Sequence, residues 1–264
     1  MRALVMISCV CLLFRAGAQQ FPHENAHAHN DYEHQRPLLD ALDNGFISVE
    51  ADVFCVDGEL YVYHNLPATI DKTRTLENLY LKPLSDIIRE KGSIYKNYTG
   101  PFYLMIDFKT SFDKTYPQLI KLLSSYDTII TIVRDGQEHG NHVKVFISGN
   151  RSSQQIIDAS TQLAALDGRP EDLGKSISPA VMPVVSENFR KFSSWKGTGP
   201  MPQKELDALQ TFTERVHAEG KKVRLWGAPD NPETWKMLLT IGVDLINTDR
   251  LKELNAFLAD FSLN

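Results

Sequence analysis

Cysteine is scarce in this chain, with 3 in 264 residues. Cys9 and Cys11 lie in an apolar run near the N-terminus, so Cys55 stands alone in the rest of the sequence. A single cysteine cannot form an intrachain disulfide, which excludes a small fold held together by disulfides. The chain is long enough to be stabilised by an ordinary hydrophobic core instead.

Membrane-length apolar runs and blocks of basic charge are also absent. The apolar stretch at residues 3–14 is too short for a comfortable membrane span, and no later segment is long and apolar enough, so we expect a soluble protein. The chain has 28 basic and 33 acidic residues, a formal net charge of −5. Nucleic-acid binding needs a concentrated basic surface, which this sequence gives no reason to expect.

The N-terminus has the pattern of a secretory signal peptide. Arg2 supplies the positive charge, residues 3–14 form the apolar run, and Ala16-Gly17-Ala18 is an A-x-A cleavage site. We expect residues 1–18 to be removed and residues 19–264 to form one domain that is secreted or periplasmic.

Strand-like and helix-like segments alternate along the rest of the chain. Strands are predicted at 25–30, 46–54, 59–64, 102–109, 128–133, 143–148, 180–186, 222–227 and 244–248. Helices are predicted at 36–44, 75–91, 117–125, 153–166, 202–219, 232–241 and 250–261, and several are followed by a glycine typical of a C-cap. This alternation predicts an all-parallel α/β fold, either a (β/α)8 barrel or an open doubly wound sheet. No glycine-rich phosphate loop follows the first strand, which disfavours a dinucleotide-binding sheet.

The second predicted strand carries two carboxylates in phase. In the segment at 46–53, apolar residues alternate with Ser48, Glu50 and Asp52. Successive side chains of a strand point to opposite faces, so the two acids project the same way. Carboxylates this close repel one another unless a cation or a proton lies between them, and Mg²⁺ and Ca²⁺ prefer such oxygen ligands. The pattern predicts a divalent metal site.

Two further strands carry polar groups towards the same place. Asp107 and Lys109 share one face of the predicted strand at 102–109, and His64 ends the strand at 59–64. The C-terminal ends of barrel strands form one rim, so Asp107 would join Glu50 and Asp52 as a third metal ligand. Lys109 could pair with Asp107, bind a phosphate, or do both. A surface ion-pair network is the alternative for any one of these groups.

Histidines concentrate near this cluster, with five of eight between residues 23 and 64. His29 and His64 are the candidates for a general acid and a general base, because each ends a strand beside the carboxylates. His27 lies two residues before His29 on the same strand face, so either could be the first catalytic histidine.

Several motifs resemble those of a known superfamily. The matching segments are Ala28-His29-Asn30-Asp31, Val49-Glu50-Ala51-Asp52-Val53, the stretch from Asp57 to His64, Val223-Arg224-Leu225-Trp226, and the stretch from Gly242 to Arg250. They resemble glycerophosphodiester phosphodiesterases, within the superfamily of phosphatidylinositol-phospholipase-C-like phosphodiesterases. Ile106-Asp107-Phe108-Lys109-Thr110 is more similar to sphingomyelinase D. The pattern His29-Asn30-Asp31-Tyr32 resembles the branch with the fungal "altered inheritance of mitochondria" proteins and bacterial secreted relatives.

The resemblance implies a TIM barrel with one Mg²⁺ or Ca²⁺ ion. By position, the metal ligands would be Glu50, Asp52 and Asp107. The catalytic residues would be His29, His64 and Lys109, and the substrate would contact Asn30, Lys109 and Trp226. Asn30 and Asn65 replace an arginine and an aspartate of the glycerophosphodiesterases, so glycerophosphodiester specificity is not implied.

We therefore expect a secreted, metal-dependent phosphoric diester hydrolase acting on a glycerophosphodiester or phospholipid-type small-molecule substrate, with at most transient contact to a lipid surface. The alternative is a non-catalytic barrel that keeps the metal site and binds a phosphate or phospholipid headgroup. A glycosidase using Glu50 and Asp52 is disfavoured, because neighbours at i and i+2 lie side by side rather than flanking a bond.

Overall fold

Eight parallel strands close into a barrel in the computed structural model, which describes residues 22–140 and 142–261. The strands within these residues are β1 (His23–Ala28), β2 (Phe46–Val56), β3 (Glu59–Val62), β4 (Phe102–Phe108), β5 (Ile132–Arg134), β6 (Gln137–His139), β7 (Val143–Gly149), β8 (Thr161–Gln162), β9 (Ala165–Gly168), β10 (Val184–Asn188), β11 (Lys222–Trp226) and β12 (Leu245–Thr248). The barrel order is β1-β2-β4-β7-β9-β10-β11-β12, and β1 pairs in parallel with both β2 and β12. The predicted TIM barrel is confirmed, and the open sheet is excluded. The proposed signal peptide, residues 1–18, lies outside the described residues.

Helices surround the barrel. The α-helices of the described part are α1 (Leu39–Asp43), α2 (Lys82–Lys91), α3 (Phe112–Ser124), α4 (Ser153–Ile157), α5 (Gln203–His217), α6 (Pro232–Thr240) and α7 (Leu251–Phe261). In α5 the buried residues Leu209, Phe212 and Val216 recur at spacings of three and four, which places one face of the helix on the core. No helix in the described ranges is long and apolar enough to cross a membrane.

The predicted helix at 153–166 is wrong in its second half. The structure ends α4 at Ile157, and Ala165 and Leu166 lie in β9 between β7 and β10. Alanine and leucine favour a helix locally, but both residues are buried in a parallel strand, so tertiary contacts override the local preference. Gly168, which we would expect to cap such a helix, consequently belongs to a strand.

Two predicted strands occupy positions other than those expected of barrel strands. The segment at 59–64 contains β3, which pairs antiparallel with β2 as the returning arm of a hairpin. The segment at 128–133 leads into β5, which forms a separate three-stranded sheet with β6 and β8. The fold is therefore not all-parallel as predicted, because β3 is an antiparallel strand beside the barrel and the three-stranded sheet is antiparallel. A hairpin turn at Asp57 and Gly58, both with positive φ, reverses the chain after β2.

The inside of the barrel changes from apolar to polar along its strands. Inward-facing residues in an apolar layer towards the strand N-termini include Tyr103, Met105, Phe146, Val184 and Leu245. Two residues further along the same strands, the inward-facing side chains are polar. They face inward because successive side chains alternate between the two faces of a strand, and they are Asp107, Ser148, Ser186 and Asn247. The C-terminal end of the barrel is therefore where this fold collects its charged groups.

Candidate metal centre and active site

Three carboxylates meet at the C-terminal end of the barrel. Glu50 and Asp52 lie on β2, and Asp107 on β4 is the direct register partner of Asp52. One carboxylate oxygen from each residue lies within 4.8 Å of the others. Glu50 and Asp52 are 5% and 1% exposed. The structure thus brings together the three acids that the sequence predicted as metal ligands.

Two basic side chains contact this cluster. Lys109 Nζ lies 3.0 Å from Asp52 Oδ2 and 2.9 Å from Asp107 Oδ1. Arg224 Nη2 donates to Glu50 Oε2 at 2.9 Å. Although burial acts to raise the pKa of Glu50, Arg224 and the nearby histidines lower it to about 2. The two basic groups leave one negative charge of the three uncompensated.

The donor set fits a hard divalent cation. Burial and then the neighbouring charge of Glu50 raise the pKa of Asp52 above its usual range, because two carboxylates share a site with little water. Asp52 Oδ1 is also buried without a hydrogen-bond partner among the described residues. Three convergent carboxylates with an unpaired oxygen match the coordination that Mg²⁺ and Ca²⁺ prefer. The residues that would hold the ion are Glu50, Asp52 and Asp107.

His29 follows β1 and lines the cavity above these acids. Its Nδ1 lies 2.8 Å from Asp249 Oδ1, and its Nε2 lies 3.9 Å from Glu50 Oε2. A carboxylate can only accept, so the bond to Asp249 keeps a proton on Nδ1 and turns Nε2 towards the cavity. Burial acts to lower the pKa of His29, but the bond to Asp249 and the charge of Glu50 outweigh burial and raise it.

His27 has a different environment. Its side chain is fully buried, and Nδ1 lies 2.7 Å from Ser48 Oγ on β2. Burial and the charge of Arg224 lower the pKa of His27 to about 4, so the ring is neutral at neutral pH. Of the two histidines that the sequence left open, His29 is the one that lines the cavity.

His64 reaches the site through the β2–β3 hairpin. The returning arm pairs with β2, and Tyr63 N donates to the Asp52 carbonyl at 3.1 Å, which brings the next residue to the rim. His64 Nδ1 lies 3.2 Å from the Tyr32 hydroxyl and 3.5 Å from Asp52 Oδ2. We expected His64 at the end of a parallel strand, whereas an antiparallel strand delivers it. The side chain is 58% exposed and lines a depression beside the central cavity.

Asn30 and Tyr32 connect the two histidines. Asn30 Nδ2 donates to Asp249 Oδ1 at 3.3 Å, and Asn30 Oδ1 lies 2.8 Å from the Tyr32 hydroxyl. That hydroxyl also lies 2.7 Å from Asp52 Oδ2, and its one proton is donated to only one of the two oxygens at a time. Asn30 has a φ of 47°, a left-handed conformation that asparagine tolerates better than most residues. The segment after β1 therefore holds both histidines and the acid cluster in one hydrogen-bonded network.

The central cavity has a volume of about 250 Å³. Its lining consists of His29, Glu50, Asp107, Lys109, Ser148, Gly149, Arg169, Arg224 and Trp226. Trp226 ends β11 and is 38% exposed, so its ring forms part of the rim. A site of this size, with acids, bases and one aromatic wall, can hold a phosphate and a small attached group.

Sequence reasoning missed several groups of the site. Arg224 lies two residues before Trp226, in phase with it on an apolar strand, and that charge within the strand was a usable signal. Asp167 and Arg169 directly follow the segment at 153–166 that was wrongly predicted as a helix, so the sequence did not assign them to the end of a barrel strand. Asp167 is fully buried, accepts from Ser148 and Ser186, and pairs with Arg169 Nη1 at 2.7 Å.

Comparison with known proteins gives the family. The model of the AIM6-like phosphodiesterase domain matches residues 18–165. The chain belongs to this family. Similar proteins include the "Altered inheritance of mitochondria protein 6 homolog" of Arthroderma benhamiae, 28% identical, covering 84% of this chain and 80% of that protein. "Altered inheritance of mitochondria protein 6" of Lachancea thermotolerans is also 28% identical over 86% of this chain, which spans only 64% of that relative.

Solved structures share the barrel fold. A glycerophosphodiester phosphodiesterase from Agrobacterium tumefaciens superposes with a TM-score of 0.54 at 15% identity, covering 90% of this chain and all of that one. A calcium-dependent phosphoinositol-specific phospholipase C from Pseudomonas sp. gives a TM-score of 0.58 at 12% identity, covering 89% and 93%. The resemblance predicted from the motifs is confirmed, and the barrel is of the phosphodiesterase type.

Proposed function

We propose that this protein is a secreted, metal-dependent phosphoric diester hydrolase that acts on a glycerophosphodiester or phospholipid-type substrate. The observation that supports this most is the cluster of Glu50, Asp52 and Asp107 beside His29 and Lys109 in one cavity. The family and the fold support the reaction class. Export is proposed from the N-terminal pattern at residues 1–18.

In this proposal the protein residues position the diester and move its protons. Lys109 Nζ binds a phosphoryl oxygen and adds positive charge where negative charge develops. His29 Nε2 accepts the proton of the attacking oxygen, which belongs to water or to a neighbouring substrate hydroxyl. His64 donates a proton to the leaving oxygen. When Mg²⁺ or Ca²⁺ is bound by Glu50, Asp52 and Asp107, it supplies Lewis-acid stabilisation of the phosphoryl oxygens.

The test is hydrolysis of a generic diester, bis-nitrophenyl phosphate, with Mg²⁺, with Ca²⁺ and with excess chelator. We expect wild-type activity to need a cation and Asp52→Asn to abolish it, because the variant lacks a charged ligand. Asp57→Asn is the matched control: it changes the same residue type at the exposed tip of the same hairpin, where asparagine tolerates the positive φ. Activity that persists in Asp52→Asn and in chelator contradicts the metal mechanism.

The second candidate is a barrel that binds a phosphate or phospholipid headgroup without turnover. Asn30 and Asn65 favour it, because they stand where glycerophosphodiesterases have an arginine and an aspartate. A thermal shift on adding Mg²⁺ or Ca²⁺, with no hydrolysis across a panel of diesters and phospholipids, would support this candidate over the hydrolase.

A further inference from the structure

We propose that Arg224 is a substrate-binding residue that donates a hydrogen bond from Nη1 to a non-bridging oxygen of the substrate phosphate. This inference rests on the proposed function, since it concerns the same cavity. Arg224 lies on β11, opposite β4 in the barrel, and adds a second cationic contact to that of Lys109. The sequence had assigned only Trp226 of this strand to the substrate.

The guanidinium of Arg224 is held in a fixed orientation. Its Nε donates to Asn247 Oδ1 at 2.9 Å, and its Nη2 donates to Glu50 Oε2 at 2.9 Å. The residue is 3% exposed, so little rotational freedom is left to the side chain. A donor that is already oriented loses little entropy when it binds a ligand.

One nitrogen of this guanidinium is still available. None of the hydrogen bonds that Arg224 makes with the described residues uses Nη1, and the atom is not among the buried polar atoms without a partner. Arg224 also lines the cavity. Nη1 is therefore the group that can donate into the cavity, and guanidinium donors suit phosphate oxygens.

Arg169 lines the same cavity but is less suited to this role. Its Nη1 donates to Asp167 Oδ2 and to the Gly168 carbonyl, and its Nη2 donates to Ser148 Oγ. Both terminal nitrogens are thus engaged with the protein. Arg224 keeps a whole NH2 group free of such bonds, which is why we assign the contact to it.

A purely structural role for Arg224 would be to hold Glu50 for the metal. The two roles predict different binding. If Arg224 only orders Glu50, its loss weakens the metal site. If Arg224 contacts the phosphate and is not needed to order Glu50, its loss weakens phosphate binding, whereas the metal site, now free of a competing positive charge beside Glu50, binds its cation at least as well.

The experiment is calorimetric titration of wild type and Arg224→Gln with two probes at neutral pH. Inorganic phosphate is titrated in excess chelator, and Mg²⁺ is titrated in phosphate-free buffer. We expect phosphate to bind about tenfold more weakly or worse, the loss typical of a charged hydrogen bond, with Mg²⁺ affinity unchanged or higher. Lys222→Gln is the matched control: it removes one positive charge at the other end of β11, and both affinities should stay at the wild-type values.

Loss of both affinities in Arg224→Gln, or loss of neither, would overturn the proposal. If that variant does not fold, Arg224→Lys and Asn247→Ala decide the question. The first keeps the charge but not the forked geometry, and the second frees the guanidinium from β12. Both should weaken phosphate binding several-fold, and wild-type phosphate affinity in both would refute the contact. A wild type that hydrolyses no diester, but shows these phosphate losses, would defeat the proposed function and leave Arg224 as a phosphate ligand.

Discussion

Asp31, next in sequence to Tyr32, is a buried carboxyl group with no ion-pair partner in the part of the chain that the structure describes. It is fully buried, and its Oδ2 accepts from Leu38 N at 2.6 Å and from the Tyr80 hydroxyl at 2.9 Å. Burial raises the pKa of Asp31 from 3.8 to about 7, although the two hydrogen bonds oppose the change. The folded protein therefore keeps a proton that the unfolded chain releases.

The consequence for stability has a definite sign. Between pH 3.8 and about 7 the folded state binds more protons at Asp31 than the unfolded state, so this group makes the free energy of unfolding fall as pH rises. Each pH unit in that interval costs about 1.4 kcal/mol. From pH 5 to pH 8, where the loss ends near pH 7, the total is about 3 kcal/mol.

The perturbation is Asp31→Asn, which keeps the acceptor oxygen and removes the titration. The difference in unfolding free energy between the variant and wild type should shift by about 3 kcal/mol in favour of the variant from pH 5 to pH 8. The assay is urea unfolding at a series of pH values in chelator, followed by circular dichroism. The pH dependence is the readout, because the new amide adds buried donors that change stability at every pH.

Asp71→Asn is the control for this measurement. Asp71 is exposed, and hydrogen bonds from Thr73 lower the pKa of its carboxyl, so it stays ionised across this pH range. Its difference from wild type should be flat from pH 5 to pH 8. An equally flat difference for Asp31→Asn would refute the reasoning, since it would mean that Asp31 is already ionised in the folded protein at pH 5.

Three other changes test separate parts of the site. Gly149→Ala should lower Mg²⁺ affinity in calorimetry, because its φ is +69° and a Cβ there would lie 2.4 Å from Asp107 Oδ1; unchanged affinity would show that the acid cluster adapts. Arg169→Gln should lower the free energy of unfolding by about 3 kcal/mol or more, since it leaves Asp167 buried and unpaired. The double variant with Asp167→Asn should recover much of that loss in urea unfolding, and no recovery would contradict the pairing. Trp226→Ala should raise KM for a diester, because the residue is 38% exposed and forms part of the cavity rim; a wild-type KM would remove Trp226 from the binding surface.

The acid cluster was predictable because its pattern is local. Glu50 and Asp52 share a strand face by two-residue alternation, and Asp107 keeps the same phase two strands further along the chain. Parallel barrels expose the C-terminal strand ends on one rim, so in-phase polar groups near those ends meet once the fold class is right. For the same reason Lys109 was correctly expected beside Asp107.

The hairpin and the fifth barrel strand could not be predicted in the same way. Pairing direction depends on which backbone lies alongside, so the apolar alternation of β3 is equally compatible with a parallel and an antiparallel partner. The sequence of β9 favours a helix over short range, and only burial between β7 and β10 makes it a strand.

The residues alone carried the α/β alternation, the three acids and the pair of candidate histidines, because side-chain periodicity and residue chemistry are properties of short segments. The choice of a barrel over an open sheet came from the motif resemblance. Tertiary structure decided the rest. It places His29 in the lining of the cavity and buries His27 against Ser48. It also brings His64 to Asp52 through the β2–β3 hairpin, and Arg224 to Glu50. His27 and Ser48 are 21 residues apart and Arg224 and Glu50 are 174 apart, so these contacts exist only once the barrel closes. The position of His64 depends on which strand β3 pairs with.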